Sequence, residues 1–195
     1  MALIDLPELA RGVAGAWRLL KLDVTGMFHF NSSAEGTRRS FQAALFALPV
    51  HILLVNFALS AKDRSAFGAD TALIEALLYV IDWTAIPVAI SLLAARLDWQ
   101  KRLPAYICAY NYSYLLVHWL WLMAVIVAGL LPGDARQVAL TVVFIGLIAY
   151  QGIVARQALG LQLPQTLLFC IGVFLFNWLI ELLRNALVLR EALPG

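Results

Sequence analysis

Residues 71–95 read TALIEALLYVIDWTAIPVAISLLAA, twenty-five residues of which only Glu75 and Asp82 are charged. At about 1.5 Å per residue, a helix of that length crosses a hydrocarbon core of about 30 Å. A transmembrane β-strand would alternate apolar and polar residues over about ten positions, and this stretch does not. In lipid a helix satisfies every backbone N–H and C=O within its own segment. The stretch therefore predicts a membrane-spanning helix. Four more apolar runs, at 40–60, 104–131, 137–159 and 165–189, predict the same. The breakers fall between them: Lys62-Asp63-Arg64 with Gly68, Asp98 to Arg102, Pro132-Gly133-Asp134, and Gly160 to Pro164. Pro104 and Pro164 stand at first helical turns, where a missing N–H costs little.

Composition agrees. Of 195 residues, 63% are hydrophobic and 13% charged, and the mean hydropathy is +0.84. A soluble domain lies near half apolar and a quarter charged. One buried core in so small a chain cannot absorb the difference, because too much of its surface stays exposed. An aromatic share of 11% excludes disorder, and a net charge of +2 gives no basic footprint for nucleic acid. Two cysteines, Cys108 and Cys170, make neither a disulfide framework nor a metal cluster. The fold class expected is an all-α integral membrane protein, a five-transmembrane-helix bundle over 40–190 preceded by a cytoplasmic segment over 1–39.

That first segment holds an amphipathic helix. Leu6, Leu9, Val13, Trp17 and Leu20 recur at helical spacing while Arg11, Arg18 and Lys21 take other faces. Asp5 with Glu8, and Ser32 with Glu35, read as capping boxes. Two placements fit the helix: at the membrane surface, with Trp17, Arg11, Arg18 and Lys21 toward the headgroups, or packed on the bundle's own loops. Orientation follows from basic residues. Arg11, Arg18, Lys21, Arg38, Arg39, Arg96, Lys101, Arg102 and Arg156 fall on one side, against Lys62, Arg64, Arg136, Arg184 and Arg190 on the other. Nine against five places the N-terminus in the cytoplasm and the C-terminus outside. Eleven arginines against three lysines, with abundant Ala and Leu, point to a bacterial inner membrane.

Asp82 lies near mid-span, where an ionised carboxylate costs about 2.5–3.5 kcal/mol on insertion scales. Glu75 and Tyr79 share its helix face at i, i+4 and i+7 spacing. Pro87 frees the carbonyl of Trp83 one turn back. His51, His118, Gln151 and Asn177 stand at similar depth in the other four spans, so the five side chains could form one polar layer. The layer would relay protons or cations; isolated interhelical hydrogen bonds, at about 0.6 kcal/mol each, account for the same residues without transport. Glu181 and Arg184, three apart on the last span, form a pair on one face. No H-E-x-x-H, G-x-S-x-G or P-loop is present, so neither catalysis nor a cofactor is expected.

The order of spans resembles the Yip1-like family: a cytoplasmic segment, then five closely spaced spans with very short loops. The stretch Arg96-Leu97-Asp98-Trp99-Gln100-Lys101-Arg102-Leu103-Pro104, followed by Tyr106, Tyr110 and Tyr114, is similar to that family's polar loop and Tyr-containing third helix. The likeness covers roughly residues 36–190 and is architectural. The Asp-Leu-Tyr-Gly-Pro stretch of the eukaryotic members is absent, and with it the basis for carrying over their small-GTPase binding. The function expected first is that of a non-enzymatic inner-membrane protein that organises lipid or a membrane-protein partner, with a second copy of itself as a candidate partner. The residues alone leave the alternative of a small transporter or ion pathway built on Asp82.

Overall fold

The computed structural model describes residues 4–59 and 67–188, and among them all regular structure is helical. Helix α1 spans Leu6–Leu20, a 3-10 helix Val24–His29, α2 Ala34–Ser40 and α3 Gln42–Ala58. The long helices α4 Ala69–Ala94, α5 Leu103–Ala128, α6 Gly133–Leu159 and α7 Leu163–Val188 follow. Five helices are long and apolar enough to cross a membrane: Ala34–Ala58, which joins α2 to α3, and α4 to α7. They lie within a few residues of the expected runs. Of the basic residues weighed for orientation, Lys62, Arg64 and Arg190 lie outside the described residues.

Helix α5 is the hub. It packs against α1, α2, α3, α4 and α6, while α7 closes onto both α6 and α4. The last four helices thus form a ring, with α3 leaning on α5. Packing is inverted relative to a water-soluble protein. Tyr106, Tyr112, Asn111 and Ser113 are fully buried, whereas Leu92, Val142 and Leu168 face outward at 64–71% exposure. Proline marks both kinds of position: Pro104 opens α5, and Pro49 and Pro87 lie inside α3 and α4, each removing one backbone donor. Helix α6 ends on Gly160, whose left-handed φ of 71° suits a residue without a Cβ. Arg102 donates to the last helical carbonyl there, Leu159 O, at 2.6 Å.

At the end of the bundle where α5 begins, α1 lies across α5 and α6. Its buried residues are Glu8, Gly12, Gly15, Ala16 and Leu19; of the apolar stripe, Leu9, Val13 and Leu20 pack partly against the core while Leu6 and Trp17 remain 60% and 45% exposed. The small residues let backbone approach backbone: Gly12 sits on the Tyr112 ring, and Gly15 on the carbonyl of Gly26. The Tyr150 hydroxyl donates to Ala16 O at 2.8 Å, leaving its lone pair for Ser113, 2.9 Å away. Packing on the bundle is therefore one placement α1 does adopt.

Both expected capping boxes close differently. Asp5 accepts from the Glu8 N–H at 3.0 Å, but its own N–H donates to Gln42, and the Glu8 side chain turns to Arg39. Arg39 also meets Asp5 and Glu35, each at 2.8 Å, so one guanidinium ties α1 to α2. The cap of α2 is Ser33, bonded to Gly36 N–H at 3.0 Å, rather than Ser32. Asp23 caps the 3-10 helix. Its carboxylate accepts from both the hydroxyl and the N–H of Thr25, which holds its pKa below the usual carboxylate value.

Candidate functional site

A cavity of about 590 Å³ lies among the long helices. At least one polar residue from each of the five lines it, among them His51 from α3, Asp82 from α4, His118 from α5, Gln151 from α6 and Asn177 from α7. These are the side chains that depth alone had placed in one layer. The cavity starts at the end opposite α1, where α3 and α7 finish and α4 and α6 begin. Gln137, Glu181 and Asn185 are exposed there, and the walls lead inward to His118 and Gln151, at 6% and 4% exposure.

Helix spacing builds the inner end. Tyr106, Tyr110, Tyr114 and His118 recur every four residues on α5 and stack as one column, with successive ring centroids 5.9, 5.3 and 4.8 Å apart. His118 lies flat against Trp83 at 5.7 Å and 6.2 Å from the His51 ring. Its Nδ1 is 3.0 Å from Tyr114 O. A carbonyl only accepts, so Nδ1 carries the proton and Nε2 is left with a lone pair. The Tyr114 hydroxyl and His118 both face the Asp82 carboxyl. Among the described residues, Gln151 Nε2 and Oε1 and His51 Nε2 are buried without a hydrogen-bond partner. Groups so buried carry an unmet desolvation cost that water or a ligand in the cavity would remove.

Ion pairs hold the mouth. Arg184 Nε lies 3.2 and 3.3 Å from the two Glu75 oxygens, and Arg184 Nη1 lies 2.9 Å from Glu181. The i, i+3 pair was legible in the sequence. The Glu75 contact, which joins α4 to α7 across 109 positions, was not. Its signal was charge balance, since a carboxyl as buried as Glu75 calls for a cation and α7 carries one at matching depth. Tyr79 turns to a different neighbour. It shares the α4 face of Glu75 and Asp82, but its hydroxyl donates to Ala44 O at 2.6 Å, so it binds α4 to α3 and does not line the cavity. A second crevice of about 550 Å³, between α3 and α4, shares His51 and Glu75 with the first.

Arg11, Trp17, Arg18 and Lys21 lie at the other end and are exposed. Lys21 Nζ stands 5.2 Å over the Trp17 ring, and Arg18 bonds Thr25 at 3.0 Å. Both cysteines are free. Cys108 donates to Asn31 O at 3.1 Å, and Cys170 packs on Gly152. Among the described residues no group of three or more His, Cys, Asp or Glu is placed to hold a metal ion.

No family model, curated protein or solved structure matches the chain. Function has to be argued from the cavity.

Proposed function

We propose that the chain is a membrane-embedded pathway for a proton or small cation, in a bacterial inner membrane with the N-terminus cytoplasmic and the C-terminus outside. The observation that carries this reading is the convergence of one polar side chain from each of five long helices on a single cavity. Polar residues serving only as interhelical bonds need not share a wall, and on this one His51 Nε2 and both polar atoms of the Gln151 side chain have no protein partner. Asp82 supplies the charge, and His118, with Nε2 free, supplies a group able to take up and release a proton. Glu75, Arg184 and Glu181 form the outer threshold. Proton or cation flux into proteoliposomes tests the reading. Wild type should conduct, and Asp82→Asn should abolish flux without lowering thermal stability, because the amide keeps the shape and cannot ionise. Absent flux in wild type, or unchanged flux in the variant, overturns it.

A second reading is that of a non-enzymatic organiser of lipid, a membrane-protein partner or another copy, as in the Yip1-like resemblance. What favours it is the apolar and basic rim beside α1, where Trp17, Leu22 and Phe28 are 45%, 68% and 88% exposed next to Arg18 and Lys21.

A further inference from the structure

We infer that the cavity is a binding site for a small organic ammonium ion, seated with its charge at Asp82 and its apolar body against aromatic rings. The inference rests on the reading of the cavity as a cation pathway and names what that pathway takes.

Size is the first argument. A proton relay needs a file of bonded groups, and a bare metal ion needs a tight ligand cage, which is absent among the described residues. About 590 Å³ is instead in the range of small-molecule sites, roughly 300–1,000 Å³.

Charge is the second. The guanidinium of Arg184 is engaged by Glu75 and Glu181 at the mouth, so its charge is already matched. The carboxyl of Asp82 stands in the field of Tyr114, His118 and Arg184, and among the described residues it makes no ion pair. A mobile cation in the cavity completes that arrangement.

The third argument is the pairing of acceptors with rings. An alkylammonium group presents three N–H donors. The cavity offers it the Asp82 carboxylate, His118 Nε2 and the Gln151 carbonyl oxygen, the last buried and otherwise unpartnered. Trp121, Phe144 and Phe174 form a continuous aromatic wall of the same cavity, with successive centroids 6.1 and 6.2 Å apart. Ring faces attract a cation, most strongly where water is excluded. An anion would meet Asp82 and the π-faces, both repulsive, while Arg184 on the same wall is already held by Glu75 and Glu181.

The test uses the full-length protein in detergent micelles at pH 7, with phenethylammonium as probe and propylbenzene as its neutral isostere. Thermal stability and intrinsic tryptophan fluorescence report binding. The ammonium should stabilise wild type and shift the emission, and the isostere should do neither. Asp82→Asn should weaken ammonium binding at least tenfold. Phe144→Leu, which keeps apolar volume and removes a ring, should weaken it severalfold and retain the fold. Equal effects of the two probes, or undiminished binding in both variants, overturn the inference. Asp82-dependent proton flux with no ammonium binding would remove this site and leave the pathway standing. Asp82-dependent binding with no flux of any cation would remove the pathway and leave the site.

Discussion

At Gly12 a hydrogen stands where a methyl group would meet the ring of Tyr112, itself buried to 1% exposure. The ring has nowhere to go, so Gly12→Ala should destabilise the protein by about 1–3 kcal/mol, the usual range for overpacking. Gly160→Ala should cost about 1–2 kcal/mol through its left-handed φ alone. It should also displace Arg102, whose guanidinium lies over the α-carbon. Thermal melts of both variants check the pair, and an unchanged midpoint for either would show that its close approach is not maintained. Single residues also mark what a sequence can disclose. His51, Asp82, His118, Gln151 and Asn177 were grouped by depth, which is countable along a helix at about 1.5 Å per residue, and all five line one cavity. The bond of Tyr79 to Ala44 O was not legible, because spacing gives the face of a helix but not which neighbour a long side chain reaches. Glu75 met Arg184 through the order of helices around the ring, and no local pattern encodes that order.

Among the elements, the five long helices were plain from hydropathy, and their ends from Gly and Pro. The break at Phe41 between α2 and α3 was not, because no glycine or proline marks it. Helix α1 shows the limit of periodicity most clearly. Its stripe of Leu6, Leu9, Val13, Trp17 and Leu20 left two placements open; Leu9, Val13 and Leu20 pack partly against the core, while the fully buried line runs through Gly12, Gly15 and Ala16, because close approach to α5 rewards small residues over large ones. Part of the apolar stripe is then left outward, with Trp17 exposed beside Arg18 and Lys21. That combination suits a helix held between bundle and headgroups. A peptide of residues 4–22 should therefore gain helicity on acidic vesicles and little on neutral ones. Replacing Arg18 and Lys21 by Gln should weaken that binding by about 1 kcal/mol per charge. Circular dichroism against lipid titration gives the answer, and a peptide equally disordered on both vesicles would confine α1 to its contact with the bundle.

For the whole molecule, the side on which the cavity opens follows from two independent features. The basic residues favour a cytoplasmic N-terminus by nine to five. Chain order then puts the ends of α3, α5 and α7 and the starts of α4 and α6 on the far side, and the cavity's exposed residues, Gln137, Glu181 and Asn185, lie at those ends. A cytoplasmic N-terminus therefore makes the cavity outward-facing. Glu181 is the better handle, since its side chain is 56% exposed while Glu75, deeper in the same ion-pair group, is only 9%. In a background with Cys108 and Cys170 replaced by Ser, Glu181→Cys should react with a membrane-impermeant maleimide added to intact cells. Glu75→Cys should react more slowly, and a cysteine at Arg18 only after the membrane is opened. Reporters fused after Gly195 and at Gly68 should both read as external. If Arg18→Cys labels in intact cells and Glu181→Cys does not, the orientation is reversed and the cavity opens to the cytoplasm. The proposed role of Asp82 would survive that reversal, because the depth of the carboxyl is set by its helix; only the compartment supplying the proposed cation would change.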